Sequence, residues 1–177
     1  MVSNNCRQLL LWRHAKSDWS DSSLADHDRP LATRGVKAAQ RMANWLLSEK
    51  LIPEQVLCSS AVRTKQTLEF LTRLQPIPTT FDSQLYHAEP DQILAIISKV
   101  NPDIKRLMLV GHNPGYEQLE KQLNAQTDHP AMQANKVMPT GAIALFEFDG
   151  DWQDCPGLSM RLVTLVRPKT LTHKFIA

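Results

Sequence analysis

The sequence predicts an α/β fold, a three-layer αβα sandwich around a mostly parallel, mixed sheet. Three observations predict it. Short apolar runs (LLLWR, QVLCS, RLMLVG) alternate with longer segments of helical periodicity, the pattern of parallel strands joined by crossover helices that cover both faces. Two later stretches, GAIALFEFDG and LSMRLVTLVRP, alternate apolar and polar residues across the connection FDGDWQDCPG, so they pair antiparallel and make the sheet mixed. No repeat, low-complexity segment or linker breaks the chain, so residues 1–177 read as a single domain, large enough to bury a core without staples.

The elements follow in order. Residues 7–13 form the first strand, an apolar run that stops abruptly on Arg13 and His14. A polar loop leads through DHDRPLATRG into the helix TRGVKAAQRMANWLLSEK, where Val36, Ala39, Ala43 and Leu46 form one stripe, Thr33 serves as N-cap and Pro53 lies beyond the exit. EQVLCSS is a short strand ending in serines, and AVRTKQTLEFLTRL a second helix with Val62, Leu68 and Leu71 facing inward. PIPTTFDSQLY is irregular or a short edge strand, because Pro76 and Pro78 interrupt it. PDQILAIISKV is a third helix with Pro90 in its first turn, RLMLVGHNP a strand that again ends on a histidine, and NPGYEQLEKQLNA a fourth helix.

Composition excludes several classes of function. Twenty basic against 18 acidic residues leave a net charge of +2, which offers no bulk attraction for nucleic acid or membrane. Trp12, Trp19, Trp45 and Trp152 are not interleaved with basic residues, so no nucleic-acid platform is expected. Cys6, Cys58 and Cys155 are odd in number and lack CxxC spacing, which reads as free thiols in a reducing compartment. There is no signal-peptide pattern and no apolar run of ~18 residues, so the expectation is a soluble, cytoplasmic protein.

In open α/β sheets ligands bind beyond the carboxyl ends of the strands. Three such ends here carry Arg13-His14, then Ser59-Ser60 with Arg63 one helical turn on, then Gly111-His112 with Asn113 and Pro114 opening a helix. Each residue alone has an ordinary explanation: a satisfied polar pair at a strand end, a helix-surface arginine, a capping histidine. Their convergence on one rim argues for a site. Two guanidiniums side by side call for an anion between them, and arginine's planar fork suits phosphate oxygens. With six glycines and neither GxxxxGK[ST] nor GxGxxG, side chains rather than a glycine loop would grip it. Nearby positive charge keeps His14 neutral and nucleophilic. A carbonyl accepting from its Nδ1–H would free Nε2 for in-line attack on phosphorus, while Arg13, Arg63 and His112 hold the equatorial oxygens. Asp26-His27-Asp28 suggests a metal site, but the adjacent Arg29 opposes a cation and no second ligand cluster is evident, so neither metal nor cofactor is expected. His87, His129 and His173 read as surface or loop histidines.

These motifs resemble the histidine phosphatase superfamily, also called the phosphoglycerate mutase-like fold. Arg13-His14-Ala15 is similar to its Arg-His-Gly, Ser59 or Ser60 through Arg63 to Thr67 to its second motif, and Gly111-His112 to its third. The length and DRPLATRG are most similar to the small phosphohistidine phosphatase branch. The resemblance spans nearly the whole chain. It implies His14 as nucleophile, Arg13, Arg63 and His112 as the phosphate pocket, and Arg29 in contact with substrate. Ala15 departs from the usual glycine. The family's acid falls between the second and third motifs, where Glu89 in LYHAEPDQIL is the candidate; Asp18 is another, and a solvated carboxylate at a helix start is the plain alternative for Glu89.

A phosphoryl group leaving from imidazole needs a positioned acid less than one leaving from an alkoxide. The segment between Arg63 and His112 is also too short for the extra helices that enclose sugar phosphates in this family. Both points favour a phosphorylated protein as substrate, such as a phosphotransfer domain or phosphocarrier. The alternatives are a phosphomonoesterase acting on a small phosphate ester and a phospho-binding module without turnover; a mutase fits less well, because an open site exposes a phosphoenzyme to water.

Overall fold

Successive strand residues point to opposite faces of a sheet, and the first strand fills both. The computed structural model describes residues 6–124 and 138–171. In β1 (Cys6–Arg13), Leu9 and Leu11 enter one apolar layer while Leu10 and Trp12 enter the other, and all four are fully buried. At roughly 1.5–3 kcal/mol per fully buried large apolar side chain, this strand anchors both layers.

The remaining elements are α1 (Thr33–Ser48), β2 (Gln55–Ser59), α2 (Val62–Thr72), β3 (Thr79–Asp82), α3 (Pro90–Ile97), β4 (Arg106–Gly111), α4 (Gly115–Leu123), β5 (Ile143–Asp149) and β6 (Arg161–Val166). The sheet order is β3-β2-β4-β1-β5-β6. β3, β2, β4 and β1 run parallel, β5 pairs antiparallel with β1, and β6 pairs antiparallel with β5. Met42, Ala43 and Leu46 of α1 and Leu68 and Leu71 of α2 pack on one face; Ile93, Leu94 and Ile97 of α3 and Tyr116, Leu119 and Leu123 of α4 pack on the other. The three-layer sandwich around a mixed sheet is therefore present. No helix among the described residues is long and apolar enough to cross a membrane.

Several local expectations are corrected. Val36 is exposed, and Gly35, Ala39, Met42, Ala43 and Leu46 form the buried face of α1. Gly35 is required there because a Cβ would stand 2.2 Å from the Lys16 carbonyl oxygen. Thr33 is the first helical residue and makes no capping bond; Ala32 precedes it in extended conformation. In α2 the inward face holds Arg63, Thr64 and Thr67 beside Leu68 and Leu71, while Val62 is only half-buried. A polar inner face on a helix next to strand ends marks a site rather than a core contact. β5 does not alternate: six of its seven residues are inside or half-inside, because helices and the turn at Trp152–Gly157 cover that side of the sheet. His129 and His173 lie outside the described residues.

The topology fixes where a ligand belongs. β1 and β4 are neighbours, with Arg13 opposite Gly111. The chain leaves β1 for α1 on one face and leaves β4 for α4 on the other. Their carboxyl ends thus form a switch point, where an open α/β sheet has its crevice.

Candidate active site

His14 and His112 lie at that switch point. The His14 N–H donates to the Gly111 carbonyl at 3.0 Å, which continues the β1–β4 ladder by one rung and holds the two imidazole centroids 5.1 Å apart. The His14 Nδ1 sits 2.7 Å from the Ala15 carbonyl oxygen, so Nδ1 carries the proton and Nε2 presents its lone pair. That lone pair faces the Arg63 Nε at 3.4 Å. The same guanidinium reaches the His112 Nδ1 through Nη2 at 3.3 Å. His112 Nδ1 is then the acceptor, and its Nε2–H donates to the Ser59 Oγ at 2.7 Å.

Burial dominates the electrostatics. It lowers the His14 imidazole to about 4, opposed by the Ala15 carbonyl and reinforced by the Arg63 and Arg13 charges. Burial likewise lowers His112 to about 2, with His14, Arg63 and His87 adding to the effect. Both rings are neutral at pH 7; the His14 Nε2 carries a lone pair, and the His112 N–H is engaged by Ser59.

The second motif does more than deliver Arg63. The Thr67 Oγ1 accepts from the Ala15 N–H at 3.0 Å and donates to the Arg63 carbonyl at 2.6 Å. Of the two serines, Ser59 bonds His112, while Ser60 bonds the His27 Nε2 at 2.9 Å. Gly111 must be glycine, since a Cβ there would come within 2.6 Å of the Tyr116 ring.

The other sequence candidates are placed as follows. Arg13 sends Nη1 to the Met138 carbonyl at 2.6 Å and adds its charge beside His14. The Asn113 amide donates to the Glu117 Oε2 at 3.0 Å and to the same Met138 carbonyl at 3.1 Å. Arg29 lies across the Trp19 ring, 4.2 Å from its centroid, and donates to the Asp21 carbonyl at 2.8 Å, so it organises its own loop. Glu89 is exposed at the head of α3, where its N–H donates to the Gln92 Oε1 at 3.0 Å. Asp18 accepts from the Ser20 N–H at 2.9 Å. Among the described residues, neither Glu89 nor Asp18 hydrogen-bonds or ion-pairs with His14, Arg63 or His112.

Residues passed over by sequence reasoning complete the site. Asp26, considered only as a metal ligand, accepts from the Arg63 Nη2 at 2.9 Å and the Tyr86 hydroxyl at 2.7 Å, with the His87 Nε2 at 3.4 Å. Burial acts to raise the Asp26 carboxyl, but the Tyr86 and Arg63 hydrogen bonds and the Arg63 charge outweigh it and hold it at about 2. The Tyr86 and His87 rings stand 5.3 and 5.5 Å from His112 and wall the rim. The adjacency of Asp26 to the DRPL segment was the one available signal.

A family model described as histidine phosphatase superfamily (branch 1) matches residues 9–89. An uncharacterized protein of Mycobacterium tuberculosis is 36% identical over 145 residues, 80% of this chain and 90% of that protein. The chain belongs to the histidine phosphatase superfamily. The phosphohistidine phosphatase SixA of Escherichia coli is 29% identical over 112 residues, 60% of this chain and 68% of SixA. The structure of a SixA described as a putative phosphohistidine phosphatase, from Nakamurella multipartitia, superposes with a TM-score of 0.77 at 28% identity, covering 92% of this chain and 96% of that one. The protein is a phosphatase of the phosphoglycerate mutase-like fold, similar to the small SixA members of the superfamily.

Proposed function

We propose that this phosphatase, a single domain over residues 1–177, hydrolyses phosphohistidine on a protein through a phosphoryl intermediate on His14. The observation that carries the proposal is the His14 tautomer: Nδ1–H is held by the Ala15 carbonyl at 2.7 Å and Nε2 faces the Arg63 guanidinium. A phosphorus atom approaching along that lone pair meets the guanidinium and the His112 edge with its equatorial oxygens, where negative charge gathers. Arg13 adds charge from the β1 side, and Asn113 follows His112 directly in the chain.

Attack by Nε2 forms the N–P bond as the substrate's P–N bond breaks. Water then attacks the phosphorus, releases inorganic phosphate and returns neutral His14. When the distal nitrogen of the substrate imidazole is protonated from solvent, the group leaves as neutral imidazole, so no acid has to stand at the breaking bond. This suits a site in which Asp26 is ionised and Glu89 is out of contact. The rim supports a large substrate as well. Between α2 and β4 the chain forms β3, a short turn and α3, and α3 packs into the core instead of over His14.

Single-turnover reaction of wild type and His14→Ala with a phosphohistidine protein and with p-nitrophenyl phosphate tests the proposal. The expected result is dephosphorylation of the protein with a transient acid-labile, base-stable label absent from His14→Ala. Turnover of p-nitrophenyl phosphate alone would make the enzyme a phosphomonoesterase of small esters.

A further inference from the structure

Beside the site runs a groove of about 680 Å³, lined in part by Arg13, whose charge acts on His14. Its wall on α1 carries Arg34, Lys37 and Arg41, spaced i, i+3 and i+7 and therefore on one helix face over about 10 Å. Lys16 enters from the loop two residues after His14, and Arg167 and Lys169 from the segment after β6. Cations from four parts of the chain thus line one cavity, and none of its described lining residues is acidic or aromatic.

The placement is locked to the reaction centre. The Ala32 N–H donates to the Lys16 carbonyl at 2.9 Å, and Gly35 lets α1 press against that same carbonyl. The first turn of α1 is thereby pinned to the loop that follows His14. Lys16, Arg34, Lys37 and Lys169 enter no ion pair among the described residues. Seven of the chain's 20 basic residues line the groove, so the other 13 face 18 acidic ones and the remainder of the protein carries −5. The near-neutral total hides this local concentration of positive charge, and such a field orients an anionic partner as it approaches.

The groove is larger than a phosphate needs. Among the described residues it has no aromatic wall on which a nucleobase could stack. It shares Arg13 with the site, and Lys16 lies two residues from His14, so its occupant is part of the molecule that brings the phosphoryl group. We propose that the groove docks an acidic face of the phosphorylated protein substrate. Carboxylates beside the phosphohistidine align with Arg34, Lys37 and Lys169, and the phosphoryl group reaches His14. The proposal rests on the protein-phosphohistidine reading, and its test separates the two.

The probes are a histidine peptide carrying four glutamates and its twin with four glutamines, each unmodified or phosphorylated on histidine with phosphoramidate. The enzymes are wild type and Arg34→Ser/Lys37→Ser/Lys169→Ser, with folding verified by circular dichroism. The unmodified glutamate peptide is expected to inhibit wild-type p-nitrophenyl phosphate hydrolysis with a Ki about tenfold below that of its twin in about 50 mM salt. The gap should close in about 500 mM salt and in the triple variant. Equal Ki values for the two peptides overturn the docking assignment, even if both phosphorylated peptides are turned over. Inhibition by tripolyphosphate or a DNA oligonucleotide that is tighter than by the glutamate peptide, and that is lost in the variant, also overturns it in favour of a phosphate polyanion. If the glutamate peptide inhibits as expected but neither phosphorylated peptide turns over, docking stands and the phosphohistidine reading falls.

Discussion

Thr67 holds Ala15: its Oγ1 accepts the Ala15 N–H at 3.0 Å and donates onward to the Arg63 carbonyl at 2.6 Å. One hydroxyl in α2 therefore couples the peptide that orients His14 to the backbone of the arginine opposite. The Ala15 carbonyl fixes the His14 tautomer, so a shift of this peptide re-aims the Nε2 lone pair.

Thr67→Val keeps the shape and removes both bonds. The buried Ala15 N–H then lacks an acceptor, which costs about 1–3 kcal/mol of stability. In urea unfolding the midpoint should fall accordingly. The kcat on p-nitrophenyl phosphate should drop about tenfold, and Thr67→Ser should restore most of it, whereas a purely structural role would lower stability without changing kcat.

The Arg63 guanidinium touches His14, His112 and Asp26 at once. A lysine ammonium cannot reproduce that fork. Arg63→Lys should lower kcat/KM by about 10²–10³ while the protein remains folded by circular dichroism. A loss below threefold would remove Arg63 from the transition-state contacts.

Burial lowers His14 to about 4, so its neutral form, the one the proposed attack needs, persists far below the ordinary histidine range. After correction for ionisation of the substrate, kcat/KM should stay level from pH 8 to about 5 and fall through about 4. Stability carries the same sign. The folded value lies below the unfolded value of about 6.5, so the contribution is complete above about 6.5 and is lost as pH falls toward 4. An acid limb centred near 6.5 would contradict a desolvated His14.

Glu120 is fully buried, neither of its oxygens has a hydrogen-bond partner among the described residues, and burial followed by Glu117 raises its carboxyl to about 7. A raised acid is harmless below its unfolded value and costs stability as pH rises through the folded one. Glu120→Gln should therefore gain on the order of 3 kcal/mol relative to wild type between pH 5 and pH 9. Denaturant unfolding at those two pH values reads the difference, and parallel curves for the two proteins would refute it.

By itself the sequence determined the class of the fold and the residues at three strand ends. Apolar spacing is a local property, so the two buried faces of β1 and the inward rows of α1 and α2 were legible from periodicity, apart from Val36 and Val62 at the first turns, where a helix meets loops rather than the sheet. The convergence of Arg13, His14, Arg63 and His112 was legible because parallel strands deliver their carboxyl ends to one rim. Only the tertiary structure decided which carboxylate meets Arg63. Asp26 lies 37 residues away on a loop, and its hydrogen bonds to Arg63 and Tyr86 depend on how three separate segments are placed. The same is true of the switch point between β1 and β4 and of the cationic groove, whose members are scattered from residue 13 to residue 169. Charge pairing and strand order are relations between distant parts of the chain. Only packing of the whole domain sets those distances.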